Sequence, residues 1–337
     1  MQRYLLRRLA QAVIVVLGVI VLTFVVARIV PGDPAVAYAG PRATPETLKQ
    51  VREEFGLDKS APAQLADYLK GTFTGDWGTA LHTHRPVLDD LGNVIPPTLE
   101  LVGIAMLVAL LVGVPLGMFA ARRGGAGDAG VRLGSMLSVS APVFLLALTL
   151  QFVFSQKLGW FPVAGEYDPK LDYTHPLTVF THITVIDALI TGNFAILGSA
   201  IAHLVLPVVA VAAYPTGVIA QMTRAALIEQ LGEDHVRMAR GLGYSERQIV
   251  RRLALRPALN PVVSVTALMF AYALVNTFLV ESIFNWPGLG SYATASIQAL
   301  DTPAIIGVTL FVALVYVLST LVVDVIQAWL DPRVQLT

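Results

Sequence analysis

Residues Leu101 to Ala121 read LVGIAMLVALLVGVPLGMFAA, and this run contains no charged side chain. A helix needs roughly 20 mostly apolar residues to cross the hydrocarbon of a bilayer, which is about 30 Å thick. The run is too long for a strand, and it is too uniformly apolar for a helix that keeps one face in water. We therefore interpret it as a membrane-spanning helix.

Five further runs pass the same length test, so the sequence predicts an all-α, polytopic membrane protein with six transmembrane helices. The six predicted spans are Leu9–Val30, Leu101–Ala121, Leu133–Phe154, Ala195–Gln221, Leu259–Val280 and Pro303–Val323. Arginines precede the first span, as they do in a secretory signal, but the run is longer than the roughly 7–15 apolar residues of a signal core. We therefore predict a first helix that is retained.

The composition narrows the class of protein further. The 337 residues are 55% apolar and 14% charged, whereas soluble domains usually carry about 25% charged residues. Lys+Arg and Asp+Glu both number 23, so no overall basic charge favours nucleic acid as a partner. The chain contains no cysteine, which excludes disulfides, Cys-ligated metal centres and thiol nucleophiles.

The distribution of arginine sets the predicted orientation in the membrane. Arginines precede the first span and fill the second and fourth connections, whereas the first and third connections are acidic or mixed. These arginines are Arg3, Arg7, Arg8, Arg122, Arg123, Arg132, Arg224, Arg237, Arg240, Arg247, Arg251, Arg252 and Arg256. Because cationic connections stay in the cytoplasm, we expect both chain termini to be cytoplasmic.

Of the two long outer connections, only the first contains signals of secondary structure. In the first, 31–96, Thr44-Pro45 and Ser60-Ala61-Pro62 are helix-start signals, and each precedes apolar residues at helical spacing. We interpret these two short helices as a cover over the outer mouth of the bundle, with a ligand site as the alternative. The second, 155–194, has no clear periodicity, and we expect a lid or a docking loop.

The cytoplasmic segment 222–258 is predicted to be a helix, a glycine turn and a second helix. Gly241 and Gly243 interrupt the first helical pattern, and Ser245 can cap the helix that follows. Small residues at Ala239 and Gly243 would let the backbone of another protein approach closely. The alternative is that the arginines of this segment only fix the topology.

This segment resembles the EAA loop in the permease subunits of ATP-binding-cassette transporters, in the dipeptide/oligopeptide importer branch. The triplet of the loop falls on Arg237-Met238-Ala239, where it departs from Glu-Ala-Ala, and its glycine falls on Gly243. The apolar pair falls on Leu253 and Leu255, and the proline is displaced to Pro257. The sequence Val-Arg-x-Ala-Arg-x-x-Gly is similar to the version found in the peptide branch.

Further motifs similar to this branch stand in order along the chain. They are Pro31-Gly32-Asp33-Pro34, Phe55-Gly56-Leu57-Asp58, Gly75-Asp76-Trp77-Gly78, the run from Glu281 to Gly290, and Leu330-Asp331-Pro332-Arg333. The N-terminal start and the long first outer connection resemble the B-type permease rather than its C-type partner. Each motif alone is weak, but their order within a six-helix topology is specific.

The resemblance implies a type I importer permease with the MetI-like fold, a multi-pass protein of the bacterial inner membrane. The implied partners are a second, homologous permease subunit in a heterodimer, two cytoplasmic ATP-binding subunits and an extracytoplasmic substrate-binding protein. The chain would hold no nucleotide, because it has no Gly-x-x-x-x-Gly-Lys-Ser/Thr run. We expect no catalytic residue, cofactor or metal in it.

The implied parts of the chain are a first helix (1–30), an extracytoplasmic segment (31–96), a five-helix core (97–330) and a cytoplasmic tail (331–337). The core includes the coupling loop, which sits in a cleft of one ATPase. The coupling residues expected from the resemblance are Arg237, Ala239, Arg240, Gly241, Gly243, Glu246 and Arg247.

Polar residues inside spans are costly and are therefore candidates for function. In the fifth span, Ser264, Tyr272 and Asn276 share one side of a helix, so they either line a passage or bond to neighbouring helices. His203 in the fourth span is expected to be a hydrogen-bonded histidine near the outer surface. Glu281 is expected at a water-accessible membrane boundary, in a structural ion pair. Asp324 is expected, like Glu281, at a boundary that water reaches.

The sequence lacks the signals that indicate other classes of protein. His82 and His84 lie near Asp89 and Asp90 but lack the further ligands of a metal site. No Gly-x-Ser-x-Gly element indicates an intramembrane hydrolase, and no repeat indicates a secondary transporter, which stays an alternative. Peptides are the expected substrate, and nickel chelates, haem or glutathione are the alternatives within the same family.

Overall fold

The computed structural model describes residues 2–29, 33–40 and 42–330 of the chain, so Pro31, Gly32 and the tail 331–337 lie outside the described residues. Within that part the helices are α1 (Gln2–Ile29), α2 (Pro34–Ala39), α3 (Pro45–Glu54), α4 (Ala61–Thr74), α5 (Val87–Arg123), α6 (Gly125–Ser140), α7 (Val143–Leu150), α8 (Leu171–Thr174), α9 (Thr184–Ile190), α10 (Phe194–Gly232), α11 (Asp234–Gly241), α12 (Glu246–Gln248), α13 (Leu255–Phe284), α14 (Leu289–Gln298) and α15 (Thr302–Leu330). A π-helical segment, Gln151–Lys157, follows α7, and a second one, Ile249–Ala254, precedes α13.

The predicted all-α class is confirmed for the described residues, and each predicted span coincides with a helix or a helix pair. Among the described residues, four helices are long and apolar enough to cross a membrane: Val87–Arg123, Phe194–Gly232, Glu246–Phe284 and Thr302–Val322. In α1 the described apolar stretch is shorter, Val13–Val26. The count of six is therefore approximate.

The third predicted span is not one straight helix. Gly125–Ser140 and Val143–Lys157 meet at an angle of 100°. The break falls at Ala141-Pro142, where Ala141 is extended with φ −76° and ψ 124°. Proline has no N–H for the helical ladder and disfavours helical geometry in the residue before it, so the chain turns there. The interpretation of Leu133–Phe154 as a single span is corrected to a bent pair.

The packed centre of the bundle is formed by α5, α7, α10 and α13. Two glycines let α5 and α10 approach closely: a Cβ on Gly113 would lie 3.0 Å from the Thr216 carbonyl oxygen, and a Cβ on Gly117 would lie 2.5 Å from that of Ala220. Small residues at helix contacts are the usual means of tight packing in membranes. α5 and α10 are therefore closely packed against each other at the centre of the bundle.

The first outer connection contains the two predicted short helices, α3 and α4. The Thr44 hydroxyl accepts the Thr47 N–H at 3.2 Å and so caps α3 as expected. A cavity of about 850 Å³ lies among these helices, α2, the C-terminal end of α1, the start of α15 and the loop before α5, and its lining includes five aromatic and five acidic side chains. The expected boundary between residues 96 and 97 falls inside α5, which begins at Val87.

Candidate functional site

The segment that links α10 to α13 has the predicted helix–turn–helix form. α11 ends at Gly241, and the Tyr244 N–H reaches back to the Ala239 carbonyl at 3.1 Å. Gly243 has φ +83°, a left-handed conformation that favours glycine. Ser245 then starts α12 with a capping box formed with Gln248. The turn is thus defined by its local sequence.

One face of this segment packs inward. Val236 and Ile249 are fully buried and Ala239 is 5% exposed, and the three form a small cluster with Leu231 and Leu253. The small side chain of Ala239 therefore fits α11 against the chain's own π-helical segment. The expectation that Ala239 is a point of close approach for another protein stays a prediction, and within the chain its side chain faces Val236 and Ile249.

The opposite face exposes apolar side chains that the sequence reading missed. Met238 is 68% exposed, Leu242 67% and Tyr244 48%. Nothing lies within 4 Å of a Cβ built on Gly241 or Gly243, so the turn between them is open. We call Met238, Leu242 and Tyr244 the apolar tip. Its signal was present in the sequence as three large apolar residues between arginines and glycines.

Two ion pairs lie within this segment. Arg240 donates from Nε to Glu246 Oε1 at 2.7 Å and from Nη2 to Oε2 at 3.3 Å. This hydrogen-bonded carboxylate raises the pKa of Arg240. Arg237 contacts Asp234 at 3.2 Å. Arg247 is exposed and has no ion pair within the described residues, so it presents an uncompensated positive charge.

An ion pair anchors the base of the segment to the bundle. Both the Nε and the Nη2 of Arg224 in α10 donate to the carboxylate of Asp128 in α6, the latter at 2.6 Å. Both side chains are largely shielded from solvent. A bidentate arginine–carboxylate pair fixes orientation as well as distance. Arg224 therefore does more here than set the topology.

The three predicted pathway residues do not converge on one another. Ser264 Oγ donates to the Asn260 carbonyl at 3.2 Å and Asn276 Nδ2 to the Tyr272 carbonyl at 2.9 Å, both within α13. Tyr272 is 40% exposed and stacks on Tyr214 of α10, with ring centroids 4.5 Å apart. Sequence reasoning missed Tyr214, because pairing across helices is not visible in spacing along one helix.

Glu281 is not at a water-accessible boundary, and that prediction is wrong. Its side chain has 0% exposure and accepts hydrogen bonds from the Thr98 hydroxyl at 2.6 Å and the Gly290 N–H at 2.5 Å. Within the described residues it has no ion pair. The following loop folds back because Trp286 Nε1 donates to the Pro97 carbonyl at 3.0 Å. The motif from Glu281 to Gly290 thus closes the outer end of the bundle.

His203 and His82 each contact a polar group of the chain. The His203 ring contacts the Ser199 carbonyl at 2.8 Å within α10. His82 Nδ1 lies 2.7 Å from Asp301, which is buried at the start of α15. Across the described residues, no group of three or more His, Asp or Glu side chains is placed to hold a metal ion. The side chain of Asp324 lies outside the described residues.

Comparison with known proteins identifies the sequence family. Residues 113–336 match the family described as "Binding-protein-dependent transport system inner membrane component", and residues 1–101 match its N-terminal region. The chain is 40% identical to the probable D,D-dipeptide transport system permease protein DdpB of Escherichia coli (strain K12), over 96% of this chain and 94% of that protein.

Two further likenesses cover most of the chain. The dipeptide transport system permease protein DppB of Alkalihalophilus pseudofirmus is 34% identical over 99% of this chain and 100% of its own length. A chain of the MetNI methionine ABC transporter in an inward-facing conformation has a TM-score of 0.49 at 19% identity, covering 70% of this chain and 93% of that chain.

Proposed function

Because the chain belongs to the family of binding-protein-dependent transport inner-membrane components, we propose that it is the transmembrane permease subunit of an ATP-driven importer of di- or oligopeptides. Relatives named as dipeptide permeases match nearly the whole chain. A type I importer permease of this kind forms half of the translocation pathway. The chain itself performs no catalysis and takes up the conformational change that ATP drives elsewhere.

The proposed assembly contains a second, homologous permease subunit, two cytoplasmic ATP-binding subunits and an extracytoplasmic substrate-binding protein. The helix–turn–helix between α10 and α13 docks on one ATP-binding subunit. The apolar tip is the observation that carries this assignment, because three neighbouring large apolar side chains exposed beside a polar rim are typical of a protein contact. Arg247 and Gly241 border the tip and complete the contact.

The family's coupling residues acquire different roles in this proposal. Gly241 and Gly243 keep the turn open, while Arg240 and Glu246 brace it through their own ion pair. Ala239 supports the turn from inside, with Ile249. The surface that meets the partner is therefore the apolar tip together with Gly241, Arg237 and Arg247.

The orientation predicted from arginine places this segment and both termini in the cytoplasm. α3, α4 and the second outer connection then face the binding protein. Ser264, Tyr272 and Asn276 remain the proposed pathway residues, with Tyr214 added. A tyrosine hydroxyl within the bilayer needs water or a polar partner, so the exposed Tyr272 favours a passage or the second subunit on that side.

Docking is tested by placing a charge on the apolar tip. Burying a leucine side chain contributes about 1.5–3 kcal/mol, and each 1.4 kcal/mol is about tenfold in affinity. Leu242→Asp should therefore weaken capture of the ATP-binding subunits by about tenfold or more in co-purification. Leu189→Asp, on the exposed Leu189 of α9, is the control. Full capture by Leu242→Asp, at normal membrane abundance, would place the docking surface elsewhere.

Peptide import by ATP is tested separately. Uptake of a labelled dipeptide by cells should stop when the ATP-binding subunits are deleted and should survive a proton uncoupler while ATP is maintained. The opposite pattern, in which uptake survives the deletion and stops with the uncoupler, would indicate a secondary transporter. Uptake of a nickel chelate, haem or glutathione in place of the dipeptide would keep the family and change the substrate.

A further inference from the structure

Two glutamates, one in α5 and one in the second outer connection, have no counter-ion among the described residues. Glu100 of α5 accepts the Val185 N–H on Oε1 at 2.9 Å. Glu166, in the connection before α8, accepts the Thr184 hydroxyl on Oε2 at 3.1 Å. The other oxygen of each carboxyl, Glu100 Oε2 and Glu166 Oε1, is completely buried and has no hydrogen-bond partner within the described residues. Two carboxyl groups therefore each leave one buried oxygen unsatisfied.

Negative charge predominates around this pair. Asp187 of α9 raises the negative potential at Glu100, although its own carboxylate accepts from the Thr181 N–H at 2.9 Å and hydroxyl at 2.8 Å. No Lys, Arg or His forms an ion pair with either glutamate in the described part of the chain. The other titratable or charged groups on the connection and on α10 are Lys157, Tyr167, Asp168, Lys170, Asp172, Tyr173, His175, His182, His203, Tyr214, Arg224 and Glu229.

The connection is held on its other side by contacts that do not titrate. Gln151 Nε2 donates to the Val163 and Ile283 carbonyls, both at 3.0 Å. The Gly165 N–H donates to the Phe284 carbonyl at 2.8 Å. These bonds tie the start of the connection to the outer end of α13. The side toward α5 and α9 is the side held through the two glutamates.

A buried, unpaired carboxylate is costly, and two together repel each other. Burial raises the pKa of Glu166 to about 7, and the charge of Glu100 raises it further against the opposing effect of the Thr184 hydrogen bond. A neutral carboxyl has one hydroxyl group, which needs an acceptor. Glu100 binds the Val185 N–H and Glu166 binds the Thr184 hydroxyl, so both carboxyls lie at the start of α9, and each has one buried oxygen without a partner among the described residues. One proton shared by the two groups removes one of the two negative charges and supplies a hydrogen bond between the two unsatisfied oxygens.

We propose that Glu100 and Glu166 share one proton, and that this proton fastens the second outer connection, with α9, to the outer end of α5. When the proton leaves, two buried negative charges face each other and the fastening loosens, while the bonds of Gln151 and Gly165 keep the start of the connection in place. The outer connection is thus a lid whose closure responds to the pH around it.

The size of the effect follows from proton linkage. In the open lid Glu166 is in water and takes its ordinary pKa of 4.5, against about 7 when closed. The closed state favours the protonated form of Glu166, so closure is strongest at low pH. It weakens as the pH rises from 4.5, the pKa of Glu166 in the open lid, to about 7, its pKa in the closed lid. Between pH 6 and pH 8.5 the opening equilibrium should increase about tenfold.

The test uses the full chain in lipid nanodiscs and cysteines introduced into a chain that has none. Ala188→Cys places a thiol at a fully buried position of α9, and Val179→Cys places one at a position that is 52% exposed. The ratio of their labelling rates by a maleimide, measured from pH 6 to pH 8.5, reports lid opening with thiol ionisation largely divided out. We expect this ratio to rise about tenfold over that range.

The decisive comparison repeats the measurement with Glu166→Gln, which cannot ionise and can donate a hydrogen bond to Glu100. Its ratio should stay flat, whereas Asp172→Asn, which removes an exposed charge from the same connection, should keep the rise. An unchanged rise in Glu166→Gln, or no rise with Glu166 present, would overturn the proposal.

An infrared measurement covers the case in which Glu166→Gln does not insert. A protonated carboxyl C=O band in the parent chain should disappear between pH 6 and pH 8.5, and Glu100→Gln should shift that transition to lower pH. If the parent shows no such band, the pair holds no proton and the proposal is wrong.

Discussion

The Thr98 hydroxyl donates to Glu281 at 2.6 Å and accepts the Leu289 N–H at 2.7 Å, and neither Thr98 nor Glu281 has more than 1% exposure. One hydroxyl group therefore joins α5 to α13 and to the first turn of α14. Gly290 completes the joint by donating its N–H to the second carboxylate oxygen. The outer end of the bundle is held by this buried hydrogen-bond network rather than by apolar packing alone.

Thr98→Val should destabilise the bundle through this joint. Valine keeps the shape of threonine but removes the hydrogen bonds to Glu281 Oε1 and from the Leu289 N–H, and an unsatisfied buried group costs about 1–3 kcal/mol. The midpoint of thermal unfolding in detergent should fall. Thr149→Val, where an exposed hydroxyl bonds only to its own helix at Leu145, should unfold close to the parent. Equal midpoints for the two variants would contradict the joint.

Gly290→Ala should prevent the same joint from forming. A Cβ at this position would lie 2.5 Å from the Phe278 Cα and 2.9 Å from Glu281 Oε2. Backbone cannot move away as a flexible side chain can, so overpacking there costs about 1–3 kcal/mol or more. We expect a large loss of folded protein by size-exclusion chromatography. Gly103→Ala, with no atom within 4 Å of its Cβ, should fold at least as well as the parent.

Gly243→Trp should abolish capture of the ATP-binding subunits, because it adds bulk at the open turn beside the apolar tip. Since Gly243 has φ +83°, any side chain also strains the backbone, and Gly243→Asn separates the two effects: asparagine tolerates this conformation. We expect Asn to retain capture, Trp to lose it about tenfold or more, and Arg251→Ala to resemble the parent. If Asn and Trp lose capture equally, strain in the turn explains the loss and bulk does not.

Single cysteines test the orientation, since the chain provides no background thiol. Cysteine at Lys49 or Asp172 should react with an impermeant thiol reagent added to intact cells with an opened outer layer. Cysteine at Ala126 or His235, both exposed in the structure, should react only after the inner membrane is opened. The physical basis is the retention of arginine-rich connections in the cytoplasm. Labelling of His235→Cys from outside would show that the topology is inverted and would contradict the coupling proposal.

Spans and turns could be predicted from sequence because their determinants are local. Apolar length identified the helices, and Gly243 with Ser245 identified the turn and its cap. The 100° bend is also local, because Pro142 is visible in the sequence, yet a long run without charged residues masks it. Length tests measure apolarity and do not register a missing N–H.

Contacts between distant residues could not be predicted in the same way. The partner of Glu281 lies 183 positions earlier in the chain, at Thr98. The stacking of Tyr214 on Tyr272 likewise depends on how two helices are rotated against each other. For the coupling segment, spacing located the turn, but only packing shows that Ala239 faces inward and Leu242 outward.

The length of α10 has a mechanical consequence. Its 39 residues span about 58 Å at about 1.5 Å per residue, nearly twice the thickness of the hydrocarbon. The helix therefore acts as a lever that runs from the second outer connection to the coupling segment. A tilt of about 10° around its middle moves each end by about 5 Å in opposite directions. In a rigid tilt, a shift of that size beside the coupling segment is matched by an opposite shift beside the second outer connection.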